Sequence, residues 1–178
     1  GFLASGNAAG NTPYWDGTSW IINSSNIFNN GGNVGVGLTT PSGKMHIKGD
    51  VNASELILEA DPNQTNTNPM LQFRKSDGLL LSSITTDDTT NIFIGRDAGI
   101  VNAPSAPDTF GIGNIFIGYK AGTSNTIGSR SVFIGNHAGN DNVDGVRNNF
   151  IGYRAGKNNT SGSYNNFIGY RSGNVNTS

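Results

Sequence analysis

Five copies of one short unit occupy the second half of this chain, and their spacing constrains the fold more than any other feature. Aligned on phenylalanine they read NIFIGRDAGIVNAPSAPDTFGIG (91–113), NIFIGYKAGTSNTIGSR (114–130), SVFIGNHAGNDNVDGVR (131–147), NNFIGYRAGKNNTSGSY (148–164) and NNFIGYRSGNVNTS (165–178). The anchors Phe93, Phe116, Phe133, Phe150 and Phe167 follow at intervals of 23, 17, 17 and 17 residues. The first interval is longer because unit one carries a six-residue insertion with Pro104 and Pro107, which predicts a protruding loop. A short fixed period is the mark of stacked-repeat folds, where a unit too small to bury its own core buries it against its neighbours.

The columns of the alignment predict the shape of each unit. Position four is Ile94, Ile117, Ile134, Ile151 and Ile168, so each unit opens on a short strand of aromatic and β-branched residues. Adjacent Phe and Ile project to opposite faces of that strand, which predicts that both faces are buried. Positions five and nine are glycine in every unit, bracketing a tight corner that needs positive φ. Position twelve is Asn102, Asn125, Asn142, Asn159 and Asn176. Asparagine there predicts a second, left-handed corner, and stacking would set amide over amide in a ladder. Helix is excluded, because glycine at this density opposes it and no 3.6-residue period exists.

The 178 residues contain 26 glycines and 26 asparagines, a composition that could signal disorder. Nine Phe, five Tyr and two Trp at regular intervals point instead to turn-dense β structure. The first half predicts smaller β modules. Asp16-Gly17 stands between two tryptophan-bearing strands as a hairpin turn. Strands are expected over 44–48, 54–59, 70–75 and 79–85, the last two joined by Ser76-Asp77-Gly78, with a polar loop over 60–69. The predicted domains are an aromatic hairpin module (1–32), a β-hairpin fibre module (33–88) and a repeat shaft (89–178) whose units start at 91, 114, 131, 148 and 165.

A resemblance now has residues to stand on. NVGVGLTTPSGKMHIKGD (33–50) resembles an element of phage-type tail-fibre proteins and large bacterial surface proteins of the Bacteroidetes type. The hairpin LQFRKSDGLLLSSI and the N-x-FIG-x-x-AG units are similar to segments of the same proteins. The repeats also resemble the β-roll head of trimeric autotransporter adhesins, although the 17-residue period is longer than theirs. The resemblance implies a homotrimer outside the cell, on a virion, an injection-system particle or a cell surface. It also implies a baseplate or surface anchor on the N-terminal side and a role in attachment.

The residues offer little to catalysis. His46 lies in a strand, and His137 occupies a column that otherwise holds Asp97, Lys120, Arg154 and Arg171, which reads as a solvated edge. Glu55 and Glu59, the only glutamates, sit at the two ends of one short expected strand, so no facing carboxylate pair is expected. Asp97, Asp108, Asp141 and Asp144 do not recur in one column, unlike the acids of calcium-binding rolls. No cofactor or metal is expected. A net charge of −1 carries no electrostatic footprint for nucleic acid, and no apolar run approaches the ~20 residues of a membrane span. Positions six and seven hold the best candidate contact surface, namely Tyr119, Lys120, His137, Tyr153, Arg154, Tyr170 and Arg171, with a glycan or a surface receptor as the partner.

The expected molecule is therefore all-β and non-enzymatic, a stack of 17-residue β-solenoid or β-roll coils in a homotrimer. Its expected task is to space and present a receptor-binding tip. A self-assembling extracellular filament is the alternative, and a tailspike-like glycan depolymerase a weaker one. The segment opens at Gly1 without Met and closes fourteen residues into a unit, so it reads as an internal piece of a longer fibre.

Overall fold

A computed structural model describes residues 11–15, 17–29, 31–49, 56–58, 69–85, 90–105 and 110–177. Among these the chain is all-β, with eleven strands in two sheets and no helix. Two compact units divide it, Gly1–Glu59 and Ala60–Ser178.

The first unit is a four-stranded sheet in the order β1-β2-β3-β4. Its strands are β1 (Asn11–Trp15), β2 (Trp20–Asn29), β3 (Val34–Val36) and β4 (Met45–Ile47). β1 and β2 form the expected aromatic hairpin, with Trp15 opposite Trp20 and Gly17 at φ +101° in the turn. β3 pairs antiparallel with β2 and parallel with β4, and the loop between β3 and β4 is pinned by Asn33 donating to the Pro41 carbonyl at 3.2 Å. The strand expected over 54–59 is not formed where it is described: Leu56, Ile57 and Leu58 lie outside any strand and are exposed. Three apolar residues in a row resemble a strand in sequence, but no neighbouring strand pairs with them here. Asp16, Glu55, Glu59, residues 60–68, Asp87-Asp88, Pro107 and Asp108 lie outside the described residues.

The second unit is a seven-stranded sheet in the order β11-β10-β9-β8-β7-β6-β5. β5 (Leu71–Arg74) and β6 (Leu80–Thr85) make the expected hairpin, turning at Gly78 with φ +85°. The repeats supply β7 (Ile92–Ile94), β8 (Ile115–Ile117), β9 (Val132–Ile134), β10 (Asn149–Ile151) and β11 (Asn166–Ile168). These five run parallel and in register, phenylalanine opposite phenylalanine throughout. The hairpin joins the same sheet antiparallel, with Thr85 opposite Phe93 and Ile84 opposite Ile94. It covers the edge that β7 would otherwise present.

One ring from each unit builds the core. Phe93, Phe116, Phe133 and Phe150 are fully buried and stack on one another and on Phe167, with centroids 4.7–5.1 Å apart and planes within 15°. Ala98, Ala121, Ala138 and Ala155 close the same cluster. The expected glycine corner is present, and each glycine is required for a different reason. At position nine the ring lies directly over the backbone, so a Cβ on Gly156 (φ +56°) would sit 2.5 Å from Phe150. At position five the next unit's carbonyl crowds in: a Cβ on Gly152 (φ +136°) would sit 2.4 Å from Gly169 O.

The asparagine column forms the expected ladder but not the expected corner. Asn125 donates to Asn102 Oδ1 at 2.7 Å, Asn142 to Asn125 at 2.8 Å, Asn159 to Asn142 at 2.9 Å and Asn176 to Asn159 at 2.8 Å. The second amide proton of Asn125, Asn142 and Asn159 goes to the carbonyl of Gly128, Gly145 and Gly162. None of these asparagines has positive φ. The amide is consumed inside the stack, and the left-handed positions fall instead at seven (Asp97, Lys120, His137, Arg154, Arg171) and seventeen (Arg130, Arg147, Tyr164).

A second polar column runs through position one. Asn91 Oδ1, Asn114 Oδ1, Ser131 Oγ and Asn148 Oδ1 each accept the backbone N–H of the unit above, at 2.8–3.1 Å. Buried polar groups are stabilising only when satisfied, and here both columns are.

The expectation that both strand faces are buried needs correcting. The phenylalanine face is sealed, whereas Ile94, Ile117, Ile134 and Ile151 are half-buried, Ile92 is 48% exposed and Ile168 is 62% exposed. Each unit folds back over one side of its strand, so a single chain covers one face only.

Candidate contact surface

Positions six and seven follow the strand directly, on the corner between the two glycines. Their backbone continues the ladder: Lys120 N donates to Arg96 O at 3.0 Å, His137 N to Tyr119 O at 2.9 Å, Arg154 N to Asn136 O at 3.0 Å and Arg171 N to Tyr153 O at 2.8 Å. Corresponding side chains therefore stand above one another, at roughly the 4.8 Å step of a sheet.

The sequence-expected residues gather into two clusters. In the first, the Arg96 guanidinium lies 4.4 Å from the Tyr119 ring centroid, Lys120 Nζ lies 5.5 Å from it, and His137 meets the ring edge-on at 5.2 Å. In the second, Tyr153 and Tyr170 stack at 5.4 Å with planes 13° apart, and Arg154 and Arg171 lie over them at 5.1 and 5.3 Å. Asn136 separates the clusters and bonds to His137 Nδ1. Arg96, which has no tyrosine beside it in the chain, belongs to the first cluster through a neighbouring unit. The pair Arg147–Tyr164, on the position-seventeen corner, was likewise not anticipated; its guanidinium is 5.2 Å from the ring and donates to the hydroxyl.

Position seven is partly covered: Asp97, Lys120, His137 and Arg154 are half-buried and Arg171 is exposed, and every member of the column is left-handed, with φ between 53° and 60°. A non-glycine residue held there is disfavoured by roughly 1–2 kcal/mol. The glycines on either side and the neighbouring ladder bonds impose that geometry.

His137 reports the local field. Its pKa lies below the ordinary value, first because partial burial disfavours the imidazolium, then because Arg154, Lys120 and Lys157 are nearby, with Asp141 opposing. Asp141 is itself held by Lys157 Nζ at 3.2 Å. The unfolded chain binds a proton near pH 6.5 that the folded chain resists, so stability is full above that value. It is expected to fall as pH drops from about 6.5 through the lower folded pKa. Thermal melts between pH 7.5 and 5 should show this decline in the wild type, and His137→Asn, which tolerates the left-handed backbone, should flatten it.

An open groove of about 510 Å3 adjoins the first cluster, lined by Leu79, Leu81, Ile94, Arg96, Ile117 and Tyr119. His46 belongs to the first unit, on β4, where its Nδ1 accepts from Ser42 N at 3.3 Å. Among the described residues there is no group of three or more His, Cys, Asp or Glu placed to hold a metal ion. Among them, too, no helix is long and apolar enough to cross a membrane. Comparison with protein-family models, with curated proteins and with solved structures gives no match for this chain.

Proposed function

We propose that this chain is a segment of an extracellular fibre or adhesin whose repeats form a β-solenoid shaft in a homotrimer. The carrying observation is the outer face of the sheet. Ile94, Ile117, Ile134 and Ile151 line up on consecutive in-register strands, with Ile92, Ile115 and Val132 beside them, and all are at least partly open to solvent. A contiguous apolar stripe of this kind marks an interaction surface. A second and third copy of the same chain would cover it with the matching stripe. The resemblance of residues 33–50 and of the repeats to tail-fibre and adhesin segments supports the same reading.

In this reading the stack spaces and presents a distal receptor-binding tip, and the N-terminal side faces a baseplate or surface anchor. The fibre belongs to a virion, an injection-system particle or a cell surface. No reaction is assigned to it.

Multi-angle light scattering on the purified chain tests the assembly. The expected mass is three times the 18.6 kDa of one chain. A folded species with the mass of a single chain would overturn the trimer.

A further inference from the structure

We propose that the tyrosine–cation row at positions six and seven is a binding site for a linear anionic polysaccharide. Four cations (Arg96, Lys120, Arg154, Arg171) and three tyrosines (Tyr119, Tyr153, Tyr170) are displayed along one corner of five in-register units. Each cation lies over a ring in the structure. A guanidinium stacked in this way is held flat and pre-oriented, with its outer donors free to take a carboxylate or sulfate in a bidentate fork. The exposed parts of Tyr153, 38% exposed, and Tyr170, 71% exposed, offer apolar surface to a sugar ring.

The spacing selects the polymer. Within each cluster the cations, Arg96 with Lys120 and Arg154 with Arg171, are one unit apart, or about 5 Å at the sheet spacing, which is the order of a single sugar step in an extended chain. Duplex DNA carries a charge per ~1.7 Å, far denser than four cations strung over five strands, and the chain's net charge of −1 gives no broad basic field. A sparse, regular polyanion fits better.

His137 fills the gap between the two clusters, edge-on to the Tyr119 ring at 5.2 Å, so the row is continuous across the third unit. The row begins two positions beyond the isoleucines assigned to the trimer contact. Mass by light scattering and polysaccharide binding are separate readouts on the same sample, so failure of one reading is distinguishable from failure of the other.

The test is binding of the full chain to immobilised polygalacturonate, with neutral dextran and single-stranded poly-dT as comparisons. Binding to polygalacturonate that weakens with added salt is expected, with none to dextran and less to poly-dT. The triple substitution Lys120→Asn, Arg154→Asn and Arg171→Asn, each tolerant of positive φ, is expected to weaken it about 30-fold or more. Lys44→Ser with Lys48→Ser, outside the row, should change it by less than about twofold, as expected of surface charges that do not touch the polymer. Arg171→Asn alone, in the exposed last unit, should still cost about threefold and keeps the test decisive if the triple variant does not fold. No wild-type binding to polygalacturonate, equal binding to dextran, tighter binding to poly-dT, or unchanged binding in the folded triple variant would each overturn the proposal.

Discussion

Gly152→Val is expected to lower the melting temperature by about 8–16 °C, the equivalent of roughly 4 kcal/mol for a chain of this length. Two effects add. The backbone at φ +136° is a region that β-branched side chains scarcely enter, worth about 1–3 kcal/mol of strain. The new Cβ would also lie 2.4 Å from Gly169 O and 2.7 Å from its carbon, so the strand spacing would have to open, at a further ~1–3 kcal/mol. Nothing nearby is a flexible side-chain end that could swing away, because the obstacle is backbone. Gly169→Val is the internal control: φ is +124° but no atom lies within 4 Å of its Cβ, so only the strain remains. Thermal melts followed by circular dichroism should rank the two in that order. Equal effects would mean that the close approach between units is not what the glycine serves.

Asn142→Leu is expected to destabilise by about 3–5 kcal/mol even though it adds apolar surface to a buried site. Asn142 donates to Asn125 Oδ1 at 2.8 Å and to Gly145 O at 3.1 Å, and it accepts from Asn159 at 2.9 Å. Leucine would leave two buried acceptors and the amide proton of Asn159 unpaired, at about 1–3 kcal/mol each, and would remove the longer 3.4 Å bond from Asn148, partly offset by its own burial. The neighbouring asparagines cannot repair the gap, since each is already committed to its own glycine carbonyl. Chemical denaturation should show the midpoint shift. An unchanged midpoint would mean that the ladder is not a source of stability.

The phenylalanine and glycine columns were legible in the sequence because only one kind of residue satisfies each position. A ring stacked on the next unit's ring must be flat and apolar, and a backbone pressed against it must lack a Cβ. The asparagine ladder was legible for the same reason, but the φ assigned to it was not. A side chain that favours the left-handed region is under no obligation to adopt it when its amide is more useful inside. Position seven shows the converse. Lys120, Arg154 and Arg171 have no intrinsic preference for positive φ, so tertiary constraint alone puts them there and identity gives no sign of it.

The position-one column escaped notice because Ser131 interrupts the asparagines, yet its hydroxyl oxygen accepts the same N–H that an amide oxygen would. Likewise, the hairpin over 71–85 was readable as two strands. That β6 would pair with β7 was not, because register between non-repeated strands is written in packing rather than in local pattern. The candidate contact row was half-visible: its tyrosine–cation pairs stood out along the chain, whereas Arg96 over Tyr119 exists only between units.

The stack itself is tested most directly by nuclear magnetic resonance couplings measured across backbone hydrogen bonds. The amides of Gly135, Gly152 and Gly169 donate to the carbonyls of Ile117, Ile134 and Ile151, each at 2.8 Å. In deuterated protein, each of these glycine nitrogens should show a coupling to the carbonyl carbon of the isoleucine eighteen residues earlier. Couplings from the same amides to carbonyls of their own unit, or to partners in any other register, would contradict the parallel in-register stack on which the account rests.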